Sequence, residues 1–98
     1  MLLHTVLIRP KTQVPTSEFD ALALQTSRIA ERLCGPGNYD IGPNMTREPL
    51  DQGYQFGFIL RFPDRDALAT YHVDPEHELL SQRIQGLAET VLVFDLET

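Results

Sequence analysis

Residues 54–77 read YQFGFILRFPDRDALATYHVDPEH, and the first half of this stretch has the pattern of a strand. Large apolar side chains occupy every second position from Tyr54 to Phe62. Successive side chains of a strand point to opposite faces, so this alternation predicts a strand with one apolar face. That face consists of Tyr54, Phe56, Phe58, Leu60 and Phe62.

The second half of the stretch predicts a helix that is broken in two. Asp64 is placed to cap a short helix that includes Tyr71. The helix should stop at Asp74-Pro75, because a residue that precedes proline avoids the α conformation. Asp74 then serves as the N-cap of a second helical piece, with Pro75 in its first turn. His77 should therefore lie in the first turn of that second piece.

The rest of the chain supplies three more strands and one more helix. Leu2–Arg9 is a β-rich strand closed by Pro10, and Thr16 or Ser17 is expected to cap a helix that Gly35-Pro36-Gly37 ends. A weak strand over 38–42 and a loop over 43–53 follow. After the broken helix, whose apolar stripe is His77, Leu80, Ile84, Leu87 and Ala88, residues 91–96 form the last strand.

The resulting order β-α-β-β-α-β predicts a single α+β domain over residues 1–98 with a ferredoxin-like arrangement. Helices would cover one face of a four-stranded antiparallel sheet. The other face still carries apolar residues such as Leu3, Leu7 and Ile59, and no helix is left to cover them. A second copy of the same sheet is the economical cover, because closed two-fold pairs are the commonest oligomers. We therefore expect a homodimer.

Charge and cysteine content limit the partners and the cellular location that can be expected. The formal net charge is -6, so the surface should repel phosphate backbones and anionic lipid headgroups, and we expect neither nucleic acid nor a membrane as partner. Cys34 is the single cysteine and cannot form an internal disulfide. The first ten residues lack the basic and long apolar segments of a signal peptide. We expect a cytoplasmic protein.

Short motifs spread along the chain resemble those of the Dabb (stress-responsive A/B barrel) family. In chain order, they are His4-Thr5-Val6, Gly42-x-Asn44, Gly53-Tyr54, Phe62-x-Asp64-x-x-Ala67-Leu68-x-x-Tyr71, Asp74-Pro75-x-His77 and Val93-Phe94-Asp95. The resemblance covers nearly the whole chain and implies a dimeric α+β barrel.

The resemblance also implies a candidate site. One branch of the family, the plant polyketide cyclases that make olivetolic acid, uses a Tyr and a His that correspond to Tyr71 and His77, so these two are the expected catalytic residues. A pocket-lining His of the first strand corresponds to His4. We expect His4, Val6 and Phe56 to contact substrate. Asp74 stands where that cyclase has His.

The residues themselves allow acid–base chemistry at this place. The positive end of the second helical piece disfavours a charge on His77, whereas Asp74 and Glu76 favour it. A neutral His77 could accept a proton, and the Tyr71 phenol could hold a carbonyl or enolate oxygen. Such proton abstraction next to a carbonyl, as in an aldol-type cyclisation of a hydrophobic carbonyl compound, requires no cofactor. No metal site is expected, because a helix break separates His72 from His77.

Other interpretations stay open at this level. A histidine on an apolar helical stripe is more often a packing or capping residue than a catalyst. The chain could therefore be a non-catalytic small-molecule-binding or stress-response protein on the same fold. A heme or oxygen-using role, as in the wider superfamily of dimeric barrels, is a third possibility, because a fold does not specify one chemistry.

Overall fold

The computed structural model describes all 98 residues and contains four strands and three helices. In chain order, these are β1 (Leu2–Pro10), α1 (Thr16–Leu33), β2 (Tyr39–Pro43), β3 (Phe56–Phe62), α2 (Arg65–His72), α3 (Pro75–Leu87) and β4 (Ala88–Glu97). The strands form one antiparallel sheet in the order β2-β3-β1-β4. This is the ferredoxin-like βαββαβ fold with a split second helix, which confirms the predicted fold class. None of the helices is both long and apolar enough to cross a membrane.

The core lies between the helices and one face of the sheet. In β1, the side chains of Leu2, His4, Val6 and Ile8 are buried, while the residues between them are only half-buried. The alternation in β3 is the same, with Phe56, Phe58, Leu60 and Phe62 buried. The helices add Leu22, Ile29, Leu68, Tyr71, Leu80 and Ile84 to this core.

The opposite face of the sheet is open and apolar. Leu92, Phe94 and Leu96 of β4 lie directly opposite Leu7, Thr5 and Leu3 of β1. The three β4 side chains are between 40% and 58% exposed. The open face therefore has the apolar character that the sequence predicted.

Two aspartates shape the broken helix as predicted. The Asp64 carboxylate accepts a hydrogen bond from the N–H of Ala67 at 2.9 Å, and α2 ends at His72. The Asp74 carboxylate accepts from the N–H of Glu76 at 2.9 Å and starts α3. His77 is the third residue of α3, so the break and the position of His77 are confirmed.

The beginning of α1 differs from the prediction. The helix starts at Thr16, so Pro15 occupies the cap position and no side chain caps the helix. Thr16 and Ser17 are helical residues instead. Pro15 adopts extended backbone angles, with φ near its fixed value, which lets the helix begin without a side-chain cap.

Two strand boundaries also differ. β3 begins at Phe56 because Tyr54 belongs to a turn in which its N–H donates to the carbonyl of Asp51. Ala88, predicted on the helical stripe, is the first residue of β4 and pairs with Pro10. Its N–H still donates to Ile84, but its backbone is extended, so pairing with β1 overrides the helical pattern.

Candidate functional site

A cavity of about 300 Å³ lies between the sheet and the break in the second helix. Its apolar walls come from Val6, Phe58, Leu80, Ile84, Val91 and Val93. Its polar side chains are His4, Tyr71, His72, His77, Ser81 and Gln85. All three histidines of the chain therefore meet at one place, together with one buried tyrosine.

The helix break brings Tyr71 and His77 together. Tyr71 lies in the last turn of α2 and His77 in the first turn of α3, and their ring centroids are 4.4 Å apart. Six residues separate them, which would turn them away from each other on a continuous helix. The change of direction at Asp74-Pro75 places both rings at the cavity.

The hydrogen bond of His77 determines its tautomer. Its Nδ1 lies 3.2 Å from the backbone carbonyl oxygen of His72. A carbonyl can only accept, so Nδ1 carries the hydrogen and Nε2 has a free lone pair. Burial lowers the pKa of His77 below 6.5, against the opposing effect of that hydrogen bond. Burial therefore favours the neutral imidazole of His77, with Nε2 available as a proton acceptor.

The Tyr71 phenol remains a proton donor. The residue is 1% exposed and packs against Phe62, with ring centroids 5.3 Å apart. Burial and, second, the nearby Cys34 thiol raise the pKa of the phenol well above its ordinary value of 10. The hydroxyl makes no hydrogen bond within the chain. Every fully buried side-chain oxygen or nitrogen of the chain has a hydrogen-bond partner. The phenol oxygen is therefore not fully buried, and Tyr71 lines the cavity.

His4 is held by Asp95 from the neighbouring strand. Its Nδ1 lies 2.6 Å from Oδ1 of Asp95, and the two residues face each other across β1 and β4. The carboxylate accepts, so Nδ1 carries a hydrogen. Burial lowers the pKa of His4 below 6.5, while the hydrogen bond to Asp95 acts in the opposite direction. His4 and Val6 line the cavity together with Tyr71 and His77.

His72 lies at the rim of the cavity, beside the other two histidines. The residue is exposed, and its ring centroid is 5.5 Å from those of both His4 and His77. No group of three or more His, Cys, Asp or Glu side chains is arranged to hold a metal ion.

Phe56 is placed elsewhere. It is not among the residues that line the cavity, and its ring packs 5.3 Å from that of Phe19 on α1. Phe58, on the same face of β3 but two residues further along, contributes to the wall instead. The alternation of β3 identified the correct face, but only the position of the helices decides which of its residues reaches the cavity.

Asp95 as a neighbour of the site and His72 as part of its rim were not predicted from the sequence. The register of β1 against β4, which the sequence does not state, places Asp95 beside His4.

A larger depression of about 440 Å³ lies on the other side of the molecule, around β2, β3 and the loop after β2. It contains no histidine and is partly formed by the open apolar face, so the smaller cavity is the candidate site.

The four-stranded sheet, the broken second helix and the cavity at the break define a ferredoxin-like α+β protein. The sequence model of the stress responsive A/B barrel domain, abbreviated Dabb, matches residues 2–98. The chain belongs to this family.

Solved structures with the same fold include a bacterial protein of unknown function and a plant protein. A dimeric ferredoxin-like protein of unknown function from Jannaschia sp. CCS1 is 27% identical, with a TM-score of 0.87 over 99% of this chain and 98% of that one. An Arabidopsis thaliana protein is 25% identical, with a TM-score of 0.87 over 100% and 95%.

A third structure belongs to an enzyme. The hydroxynitrile lyase of Passiflora edulis is 13% identical, with a TM-score of 0.81 over 97% of this chain and 90% of that one. At this identity, the likeness concerns the fold alone. A search among curated proteins found no match to this chain.

Proposed function

We propose that this protein is a cofactor-independent enzyme that removes a proton next to a carbonyl group of a hydrophobic small molecule. The reaction would promote an aldol-type cyclisation like that of the polyketide cyclases of secondary metabolism. The observation that carries the proposal is the pair formed by His77 and Tyr71. The two rings line one cavity with their centroids 4.4 Å apart, and burial favours the neutral imidazole and the protonated phenol.

Each of the two groups has one role in the step. Nε2 of His77 takes the proton from the carbon, and the C–H electron pair moves to form an enolate. The Tyr71 hydroxyl donates a hydrogen bond to the enolate oxygen, where negative charge develops. The enolate carbon then attacks a second carbonyl of the same molecule, and that oxygen receives the proton held by His77. No net proton is gained or lost in this sequence.

The surroundings support this chemistry. The apolar wall from Val6, Phe58 and Ile84 favours a hydrophobic compound and lowers the local dielectric, which strengthens the hydrogen bond from Tyr71. The hydroxynitrile lyase of Passiflora edulis is an enzyme with the same fold. We further infer a cytoplasmic location and a homodimer. The homodimer is supported by the open apolar face and by the dimeric proteins of similar fold.

Deuterium exchange tests the proton abstraction without knowledge of the natural substrate. Acetophenone in D2O, followed by proton NMR, should lose its methyl signal faster with the wild-type protein than in buffer. His77→Ala should reduce the accelerated rate by roughly 10² to 10⁴, the usual cost of losing a general base. Tyr71→Phe should cost less, because it removes one hydrogen bond and keeps the ring.

Gln82→Ala is the matched control, because Gln82 is an exposed residue of the same helix and does not line the cavity. It should exchange acetophenone at the wild-type rate. If His77→Ala does so as well, His77 is not the base. If the wild type binds acetophenone in saturation-transfer NMR but does not exchange it, the alternative of a non-catalytic binding protein gains support.

A further inference from the structure

We propose that His4 and Asp95 form a second proton-transfer pair at the same cavity. In this assignment, His4 is a catalytic residue whose Nε2 accepts a proton from a hydroxyl group of the bound compound, and Asp95 is a positioning residue. The inference rests on the proposed acid–base function and deepens it. It narrows the substrate class to carbonyl compounds that also carry an ionisable hydroxyl, either an enol or a phenol.

The orientation of His4 follows from the sheet. His4 and Asp95 are 91 residues apart but directly opposite each other in the antiparallel pair of β1 and β4. Opposite residues in such a pair project to the same face, here the face that carries the helices. The 2.6 Å hydrogen bond from Nδ1 to the carboxylate leaves Nε2 as the free acceptor of the ring.

The free nitrogen reaches the cavity. His4 is 4% exposed, and its ring makes its hydrogen bond through Nδ1, which leaves Nε2 without a partner within the chain. No fully buried side-chain nitrogen or oxygen of the chain lacks a hydrogen-bond partner, so this atom is accessible, and His4 lines the cavity at the helix break. Thr26, the other buried polar residue, behaves differently, because its hydroxyl donates to the carbonyl of Leu22 at 2.8 Å and is satisfied internally.

The electrostatic arrangement suits a base that becomes charged during the reaction. The Asp95 side chain is 38% exposed and stays hydrated, whereas that of His4 is only 5% exposed. An imidazolium formed on His4 would gain the direct attraction of the carboxylate. The other titratable groups around His4 are Tyr71 and His72, at centroid distances of 5.6 and 5.5 Å, and His77, which lines the same cavity. No Lys or Arg side chain lines the cavity.

The step is a simple proton transfer. The O–H bond of the enol or phenol breaks, the proton binds to Nε2 of His4, and the electron pair remains on oxygen as an enolate or phenolate. His77, by contrast, lacks a carboxylate partner for its Nδ1, which donates to a neutral carbonyl. The two imidazoles therefore have different roles. His4 accepts a proton from oxygen, and His77 accepts a proton from carbon.

The absorbance of 4-nitrophenol tests this assignment, since the phenolate is coloured and the phenol is not. At one pH unit below its own pKa, only about a tenth of the free compound is ionised. With saturating wild-type protein, we expect the ratio of phenolate to phenol to rise above that of the free compound. Asp95→Asn should remove most of this rise, because the positive charge on His4 loses its partner.

His4→Gln retains a side-chain donor for Asp95 but has no basic nitrogen, so it should abolish the rise. It should lower the ionisation of 4-nitrophenol more than the exchange of acetophenone, which has no hydroxyl, and His77→Ala should show the reverse order. Gln82→Ala should keep both signals. Failure of the wild type to bind or ionise 4-nitrophenol, or ionisation that depends on His77 rather than His4, overturns the assignment. If the wild type ionises 4-nitrophenol but does not exchange acetophenone, the result would instead contradict the proposed function.

Discussion

Phe94→Ser should convert the protein from a dimer to a monomer. Phe94 lies on the open face of the sheet, beside Leu92 and Leu96 on β4 and opposite Thr5 on β1. It is 58% exposed in a single chain. If a second copy packs on this face, the substitution removes the largest side chain from the contact.

The size of the effect follows from the exposed area. An aromatic side chain presents about 200 Å², so covering 58% of it removes about 115 Å² from water. At about 25 cal/mol per Å², this area contributes roughly 3 kcal/mol per copy. Each of the two copies in a two-fold dimer loses this contribution, so the free energy of dimerisation should fall by about 6 kcal/mol. The dissociation constant should therefore rise by roughly 10⁴.

Sedimentation equilibrium at micromolar concentration measures this change. The wild type should sediment at twice the chain mass of 11.1 kDa and Phe94→Ser at the chain mass. Val93→Ser is the matched control, because Val93 is 56% exposed but projects to the helix side and lines the cavity. It should remain a dimer. A monomeric wild type, or a Phe94→Ser variant that dimerises as tightly as wild type, would refute the reasoning.

Two further predictions concern stability. Burial lowers the pKa values of His4 and His77 below 6.5, so the unfolded chain binds protons more readily and stability should fall as the pH drops below about 6.5. The melting temperature should then decrease from pH 7 to pH 5, less so in His4→Gln, and a flat profile would contradict this expectation. Asp64→Ala should cost about 1 kcal/mol in urea unfolding through loss of the α2 cap. Asp66→Ala, at an exposed neighbour, should cost less, and equal losses would show that the cap is not the cause.

Local patterns were sufficient for most of the fold. The alternation over 56–62, the Asp64 cap and the Asp74-Pro75 break were all confirmed, because each depends on residues close in sequence. The prediction was wrong at Thr16, where Pro15 takes the cap position, and at Ala88, which joins β4. At Ala88, pairing with a strand that lies 78 residues earlier overrides the local pattern.

The sequence by itself determined the order of elements, the apolar faces of β1 and β3, and the presence of His77 in the first turn of a helix after a break. Only the tertiary structure decided that Asp95 lies 2.6 Å from His4 and that Phe58, not Phe56, lines the cavity. The physical reason is the range of the interactions. Caps, breaks and alternation arise within a few residues, whereas a cavity arises where strands and helices distant in sequence pack together.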